Sequence, residues 1–191
     1  MKNKLIIMAL ASTLLFVTKT VVADPEAGNY LGVGVQYGVV DYSEDGISEE
    51  FKPTVLIARL GRYFMPEFSV EGRLGLGLQD DTQFESELGL DGADATLELD
   101  SLIGLYAVGH VNLTESFSIY GVLGATRVEG TASLPDYPSV ENSETNSGVS
   151  YGIGADLDVA SNVALNIEYM QYLDKDTYDL GAIGLGAVYN F

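Results

Sequence analysis

After residue 28 the chain alternates between hydrophobic and small or polar residues in one segment after another. In the last of them, GAIGLGAVYNF (181–191), Ile183, Leu185, Ala187, Tyr189 and Phe191 share one face. Gly184, Gly186 and Asn190 share the other, with Val188 the exception. A period of two is the signature of a strand with unlike faces. In residues 29–40, Leu31, Val33, Val35, Tyr37 and Val39 oppose Gly32, Gly34, Gln36 and Gly38. In 54–64, Leu56, Ala58, Leu60 and Phe64 oppose Arg59 and Gly61, and in 68–79, Phe68, Val70, Leu74, Leu76 and Leu78 oppose Ser69, Glu71, Arg73, Gly75, Gly77 and Gln79. Residues 96–111 set Leu97, Leu99, Ile103, Leu105 and Val111 against Glu98, Asp100, Gly104, Tyr106 and His110. The pattern is weaker in 117–128, where Phe117, Ile119, Leu123 and Ala125 form the apolar face. It returns in 149–159, with Ser150, Gly152, Gly154, Asp156 and Asp158 on the small and polar face, and in 163–173, with Asn166, Glu168 and Tyr172 there.

These eight segments are joined by connections of alternating length. Short turns fall at 65–67, 112–116 and 160–162; longer polar loops fall at 41–52, 80–95, 129–148 and 174–179. Short turns on one rim and long loops on the other describe an all-β protein, an eight-stranded antiparallel up-and-down transmembrane β-barrel. Each segment reaches the 9–11 residues or so that a tilted spanning strand needs. A soluble eight-stranded barrel is the rival, with the apolar face turned inward. A glycine-rich face with scattered charges serves poorly as a soluble exterior and well as a narrow lumen.

Composition adds an address. Lys2 and Lys4 precede the short apolar run LIIMALASTLLFV (5–17), and Val21, Val22 and Ala23 fit a cleavage site. Residues 1–23 are expected to be a signal peptide and 24–191 the barrel domain. The alternative, an anchor helix, would need about 20 apolar residues, and this run stops at Thr18. Beyond residue 23 the chain carries 6 basic residues against 28 acidic ones and no cysteine. That excludes disulfides and thiolate metal sites, and it argues against nucleic acid and polybasic lipid contacts.

Charged residues on the small and polar face are expected to meet inside. Arg59, Glu71, Arg73, Asp156 and Glu168 fall at mid-depth, and the lumen of an eight-stranded barrel is only wide enough for side chains to fill. They are predicted to form a lumen ion-pair network in place of a hydrophobic core, because a lone buried charge is costly. Such pairs could also gate a narrow ion path. Phe64, Phe68, Phe117, Tyr189 and Phe191 lie beside the short turns or the chain end, as a periplasmic aromatic girdle would. His110, the only histidine, stands beside the 112–116 turn without a nucleophile motif, so no catalytic residue is assigned. The acidic loops lack calcium-loop spacing, so no metal ligand and no cofactor is assigned either. Loose Mg²⁺ or Ca²⁺ bridging to lipopolysaccharide phosphates is the chemistry they would suit, and Arg127 and Arg62 face lipid, where each could meet a headgroup phosphate.

FSIYGVLGATRVEG (117–130), SGVSYGIGADLDVASNVALNIEYMQY (147–172) and the terminal GAIGLGAVYNF resemble the second half of the OmpX/Ail-type small outer-membrane barrels. LGRYFMPEFSVEGRLGLG (60–77) is similar to the strand–turn–strand of the broader eight-stranded OmpA-like family. Gly186, Tyr189 and Phe191 resemble the C-terminal signal read by the bacterial barrel-assembly machinery. The resemblance implies an outer-membrane, cell-surface monomer embedded in lipid and lipopolysaccharide. No OmpA-type wall-binding domain is expected after Phe191, and without a nucleophile motif no enzyme activity is expected. Its functional implication is a structural or adhesive role through extracellular loops, with an extracellular protein as partner. A narrow channel and a lipid A-modifying enzyme are the alternatives.

Overall fold

The computed structural model describes residues 28–44, 47–78, 96–133, 141–175 and 178–191. The expected signal segment and domain boundary, the acidic stretch 80–94 and residues 134–140 lie outside the described residues, as do the side chains of 40–51, 96–98, 132–133, 141–142, 175 and 178. Among the described residues nine strands form one antiparallel sheet: β1 (Asn29–Glu44), β2 (Ile47–Phe51), β3 (Thr54–Met65), β4 (Phe68–Gly77), β5 (Thr96–Asn112), β6 (Phe117–Ser133), β7 (Glu141–Ala160), β8 (Val163–Lys175) and β9 (Tyr178–Asn190). β2 and β3 are one returning stave interrupted at Lys52 and Pro53, and both pair with β1. Proline has no N–H to give a ladder, but its carbonyl still accepts from Gly38 N at 2.8 Å. β1 pairs with β9 from Tyr30 opposite Asn190 to Tyr42 opposite Tyr178, which closes the sheet into an eight-stave barrel.

The apolar face points outward. Leu60, Leu105, Leu123, Ile153 and Leu185 are 58–65 % exposed, and their neighbours extend the band around the barrel. A soluble monomer does not expose a continuous apolar surface of that kind; a lipid-embedded barrel must. On β9 the band runs from Ile183 to Phe191, about 27 Å along the strand and about 20 Å along the membrane normal at a tilt of about 40°.

Four register shifts interrupt the described ladders; those between Tyr63 and Met65 and between Asp158 and Ala160 lie beside short turns, and the other two are β-bulges that break the alternation within the barrel. In β5, Leu99 lies opposite Gly130 and Ser101 opposite Glu129, so Asp100 is the extra residue. The bulge reverses the phase on its outer side. Leu99, expected on the lipid face, packs inward against the core, and Asp100, expected in the lumen, is exposed. In β8 the register to β9 shifts between Gln171 and Leu173, so both Tyr172 and Leu173 are buried.

Three layers fill the lumen. Tyr30, Tyr63, His110 and Tyr120 stack at the end with the short turns, with ring centroids 5.0–5.8 Å apart. Charged side chains occupy the middle. Toward the long-loop end, Val55, Ile57, Leu102, Val128, Leu173 and Leu180 form part of a buried apolar cluster. The expectation that ion pairs replace a hydrophobic core is thereby corrected: the interior has both. Valine and leucine share the inner face with the charges because the narrow lumen excludes water there as well.

Candidate functional site

The middle layer is built around Glu168 and Arg73, which are 2 % and 1 % exposed. Glu168 accepts from Arg73 Nη1 at 2.6 Å and Nη2 at 2.8 Å, a fork-to-fork pair. Arg59 Nη2 lies 3.6 Å from the same carboxylate, and Gln36 Nε2 donates to it at 3.1 Å. Arg73 Nε bonds Glu71, and the Arg73 guanidinium carbon sits 4.8 Å over the Tyr106 ring. Two arginines thus meet two glutamates with no excess charge. Asp156 stands outside these pairs: no described cation lies within ion-pairing distance, and its Oδ1 is buried without a hydrogen-bond partner. Its register explains this, because Ser118 and Asn166 are its cross-strand neighbours, one layer below the arginines.

A hydroxyl chain ties this layer to the far wall. Tyr106 OH lies 2.6 Å from Thr126 Oγ1, Thr126 contacts Ser150 Oγ, and Ser150 Oγ donates to the Tyr172 carbonyl at 2.7 Å. Each hydroxyl has one proton, so the last bond fixes the direction of the others: Tyr106 to Thr126 to Ser150. Tyr172 OH then donates to Gln36 Oε1, which returns the chain to Glu168. Glycines make the room. Gly61 lies opposite Tyr30, Gly124 opposite Tyr106, Gly154 opposite Tyr120 and Gly184 opposite Gln36, and a Cβ at each would collide with that larger side chain. This is why the inner face is rich in glycine.

His110 has a partner that the sequence did not reveal. Its Nε2 lies 3.0 Å from Ser69 Oγ, the separation of a nucleophile and its base, although 41 residues separate them. Ser69 is fully buried and its oxygen also contacts Tyr30 OH at 3.1 Å, so the hydroxyl offers no approach to a substrate. Among the described residues no three His, Cys, Asp or Glu side chains converge as metal ligands would.

Phe64, Phe68, Phe117, Tyr189 and Phe191 all lie toward the short-turn end on the lipid side, with Phe64–Phe68 rings 6.5 Å and Tyr189–Phe191 rings 6.2 Å apart. Phe191 is fixed by two main-chain bonds to Asn29, N to O at 2.8 Å and O from N at 2.9 Å. Gly186 lies opposite Gly34 across the closing seam. A second set of aromatics was not anticipated: Tyr37, Tyr151 and Tyr169 are half-exposed on the long-loop side, Tyr37 and Tyr169 flanking Ile183 in one row. Arg62 is exposed, and Arg127 pairs with Glu129 at 3.2 Å on the outside.

Beyond the apolar band, β5, β6 and β7 continue together. β6 pairs with β7 without interruption from Phe117 opposite Leu157 to Ser133 opposite Glu141, and with β5 as far as Thr96. Their outward side chains there are polar: Thr131 Oγ1 donates to Asp100 at 2.6 Å and Ser101 Oγ to Glu129 at 3.1 Å. A sheet that is polar outside the lipid band is a structure for water.

A closed antiparallel barrel with a lipid-compatible exterior, an ionic lumen and a hydrated extension matches one sequence family. The model of the outer membrane protein beta-barrel domain covers residues 8–191. The chain belongs to that family. Its fold is shared by Ail, the attachment invasion locus protein of Yersinia pestis, solved with the heparin analogue sucrose octasulfate (TM-score 0.62, 22% identity, 87% of this chain and 99% of that one). It is shared also by Neisserial surface protein A (TM-score 0.60, 15% identity, 86% and 99%) and OprG from Pseudomonas aeruginosa (TM-score 0.57, 17% identity, 87% and 97%). At these identities the likeness is one of fold. No curated protein matches the chain by sequence. This is an outer-membrane barrel protein.

Proposed function

We propose that the chain is a surface barrel that binds an extracellular protein through the β5–β6–β7 extension, and that it is neither a channel nor an enzyme. One observation carries this: β7 runs ten residues, 141–150, past its last pair with β8, Tyr151 opposite Gln171. A strand edge with no described strand beside it is a template for another strand, with affinity supplied by main-chain hydrogen bonds. The three-layer filling of the lumen speaks against conduction, since an apolar layer lies in series with the ionic one. Ail takes a polyanion; here Lys52, Arg127 and Lys175 are the only basic residues in the expected loops and their flanks, which disfavours that ligand class. Delivery by a cleaved signal at 1–23 belongs to the same proposal, and an outer-membrane form starting at Met1 by mass spectrometry would refute that part.

The test replaces Glu129 to Thr145 with Asn-Gly, which closes the Val128 and Asn146 pair by a two-residue turn. The intact barrel is expected to bind extracellular matrix proteins and the truncated one not to, with and without Ca²⁺. Equal binding by both, or none by either, refutes the proposal. A second reading, a barrel tied to lipopolysaccharide through divalent cations, is favoured by register. Asp179 and Asp174 are cross-strand neighbours on β9 and β8. Like charges placed opposite one another destabilise a sheet, and a shared cation relieves that.

A further inference from the structure

The extension has two lateral edges, and they differ. On the β5 side, 96–100 continues past the last pair with β4, Leu76 opposite Ser101. The bulge at Asp100 twists that edge and places a carboxylate on it, two devices that discourage strand addition. On the β7 side, 141–150 holds unbroken register with β6 and contains no proline.

The direction of the β7 main chain follows from one bond. Asp158 N donates to Ser116 O, and the register stays constant to Glu141. Even-numbered residues of β7 therefore turn N–H and C=O to β6, and odd-numbered ones turn them away. Ser143, Thr145 and Ser147 are exposed and face the side where no described strand pairs. The site ends at a fork. β8 leaves β7 where Ser150 holds the Tyr172 carbonyl, and Leu173 packs beneath Gly148, 3.0 Å from where a Cβ would stand. The fork carries an exposed carboxylate, Asp174, which accepts from Tyr151 OH at 3.2 Å beside the half-exposed Tyr151 ring.

We infer that the β7 edge takes an extended segment of a partner protein that bears a lysine or arginine on its outward face at the end beside the fork. This rests on the surface-binding reading above. Main-chain bonds to Ser143, Thr145 and Ser147 hold the strand, whatever its sequence. The cation reaches Asp174 and the face of Tyr151, which supply opposite charge and ring quadrupole together. On the outward face of the same sheet Glu129 is neutralised by Arg127, opposite Ser147, so Asp174 at the fork is the charge that sets the choice of partner.

The test uses the whole barrel in nanodiscs and two capped peptides of alternating Thr and Val, one with lysine at both ends and one with glutamate. The lysine peptide is expected to bind about tenfold more tightly. D174N should shrink that ratio to about threefold or less. T145P removes one free donor and no bond to β6, and should abolish binding of both peptides; heat-modified gel mobility reports that each variant is folded. If both peptides bind the intact barrel equally and T145P still abolishes binding, the charge assignment is overturned and edge binding stands. Binding that survives T145P overturns the edge as well. Failure of the lysine peptide to bind, or a dimer of the barrel that T145P dissolves, overturns the inference, the second by giving the edge to another copy of the chain.

Discussion

Ser150 Oγ donates to the carbonyl oxygen of Tyr172 at 2.7 Å, across the point where β8 parts from β7. A bulge leaves a main-chain carbonyl without its ladder partner, and a buried unsatisfied acceptor costs about 1–3 kcal/mol. The hydroxyl meets that need and also accepts from Thr126. S150A is therefore expected to lower the unfolding free energy by about 1–3 kcal/mol in urea titrations. Unchanged stability would mean that the fork does not depend on this bond.

Glu168 faces both arginines at once. E168Q keeps the shape and leaves Arg59 and Arg73 against Glu71 alone. Breaking one side of a buried pair costs about 3–5 kcal/mol, so urea unfolding should shift by that amount. The same variant should pass no steady current in a planar bilayer, because the apolar layer of Val55, Ile57, Leu102 and Leu180 remains closed. A stable open level in E168Q would assign the ion pairs to a gate.

The closing seam depends on two glycines that lie opposite each other. A Cβ on Gly34 would stand 2.7 Å from Leu185 O, and one on Gly186 2.8 Å from Val33 O. G186A is expected to reduce the folded, heat-modifiable fraction sharply. G121A, on the lipid face with nothing within 4 Å of its Cβ, should fold like the parent. Equal behaviour of the two would show that the seam yields.

Much of this was legible in the sequence, because one face of every strand meets lipid and the other a packed lumen, so phase is written twice. Arg59, Glu71, Arg73 and Glu168 fell inside by that rule. Leu99 and Asp100 did not obey it, because a bulge adds one residue and reverses everything beyond it. The Ser69–His110 contact and the separation of Asp156 from the arginines depend on stagger between staves, which alternation does not encode. The outer tyrosines Tyr37, Tyr151 and Tyr169 sit among aliphatic residues in their strands, and only the register brings them to one rim.

Phe191 ends the chain with two bonds to Asn29 and a ring stacked on Tyr189. We propose that Gly186, Tyr189 and Phe191 are read by the barrel-assembly machinery. F191D, or deletion of the residue, should reduce the assembled barrel far more than its synthesis. Normal levels of folded barrel in the outer membrane would leave Phe191 as part of the aromatic girdle only.

The reading of surface function requires that the β5–β6–β7 extension face outward and the 112–116 turn face the periplasm. The chain has no cysteine, so single cysteines report on topology without background. Ser143 and Glu115 are both exposed, at opposite ends of the barrel. In intact cells treated with a membrane-impermeant maleimide, S143C is expected to label and E115C to remain unlabelled until the outer membrane is permeabilised. Labelling of E115C in intact cells, with S143C protected, would turn the barrel over and contradict a surface-binding role.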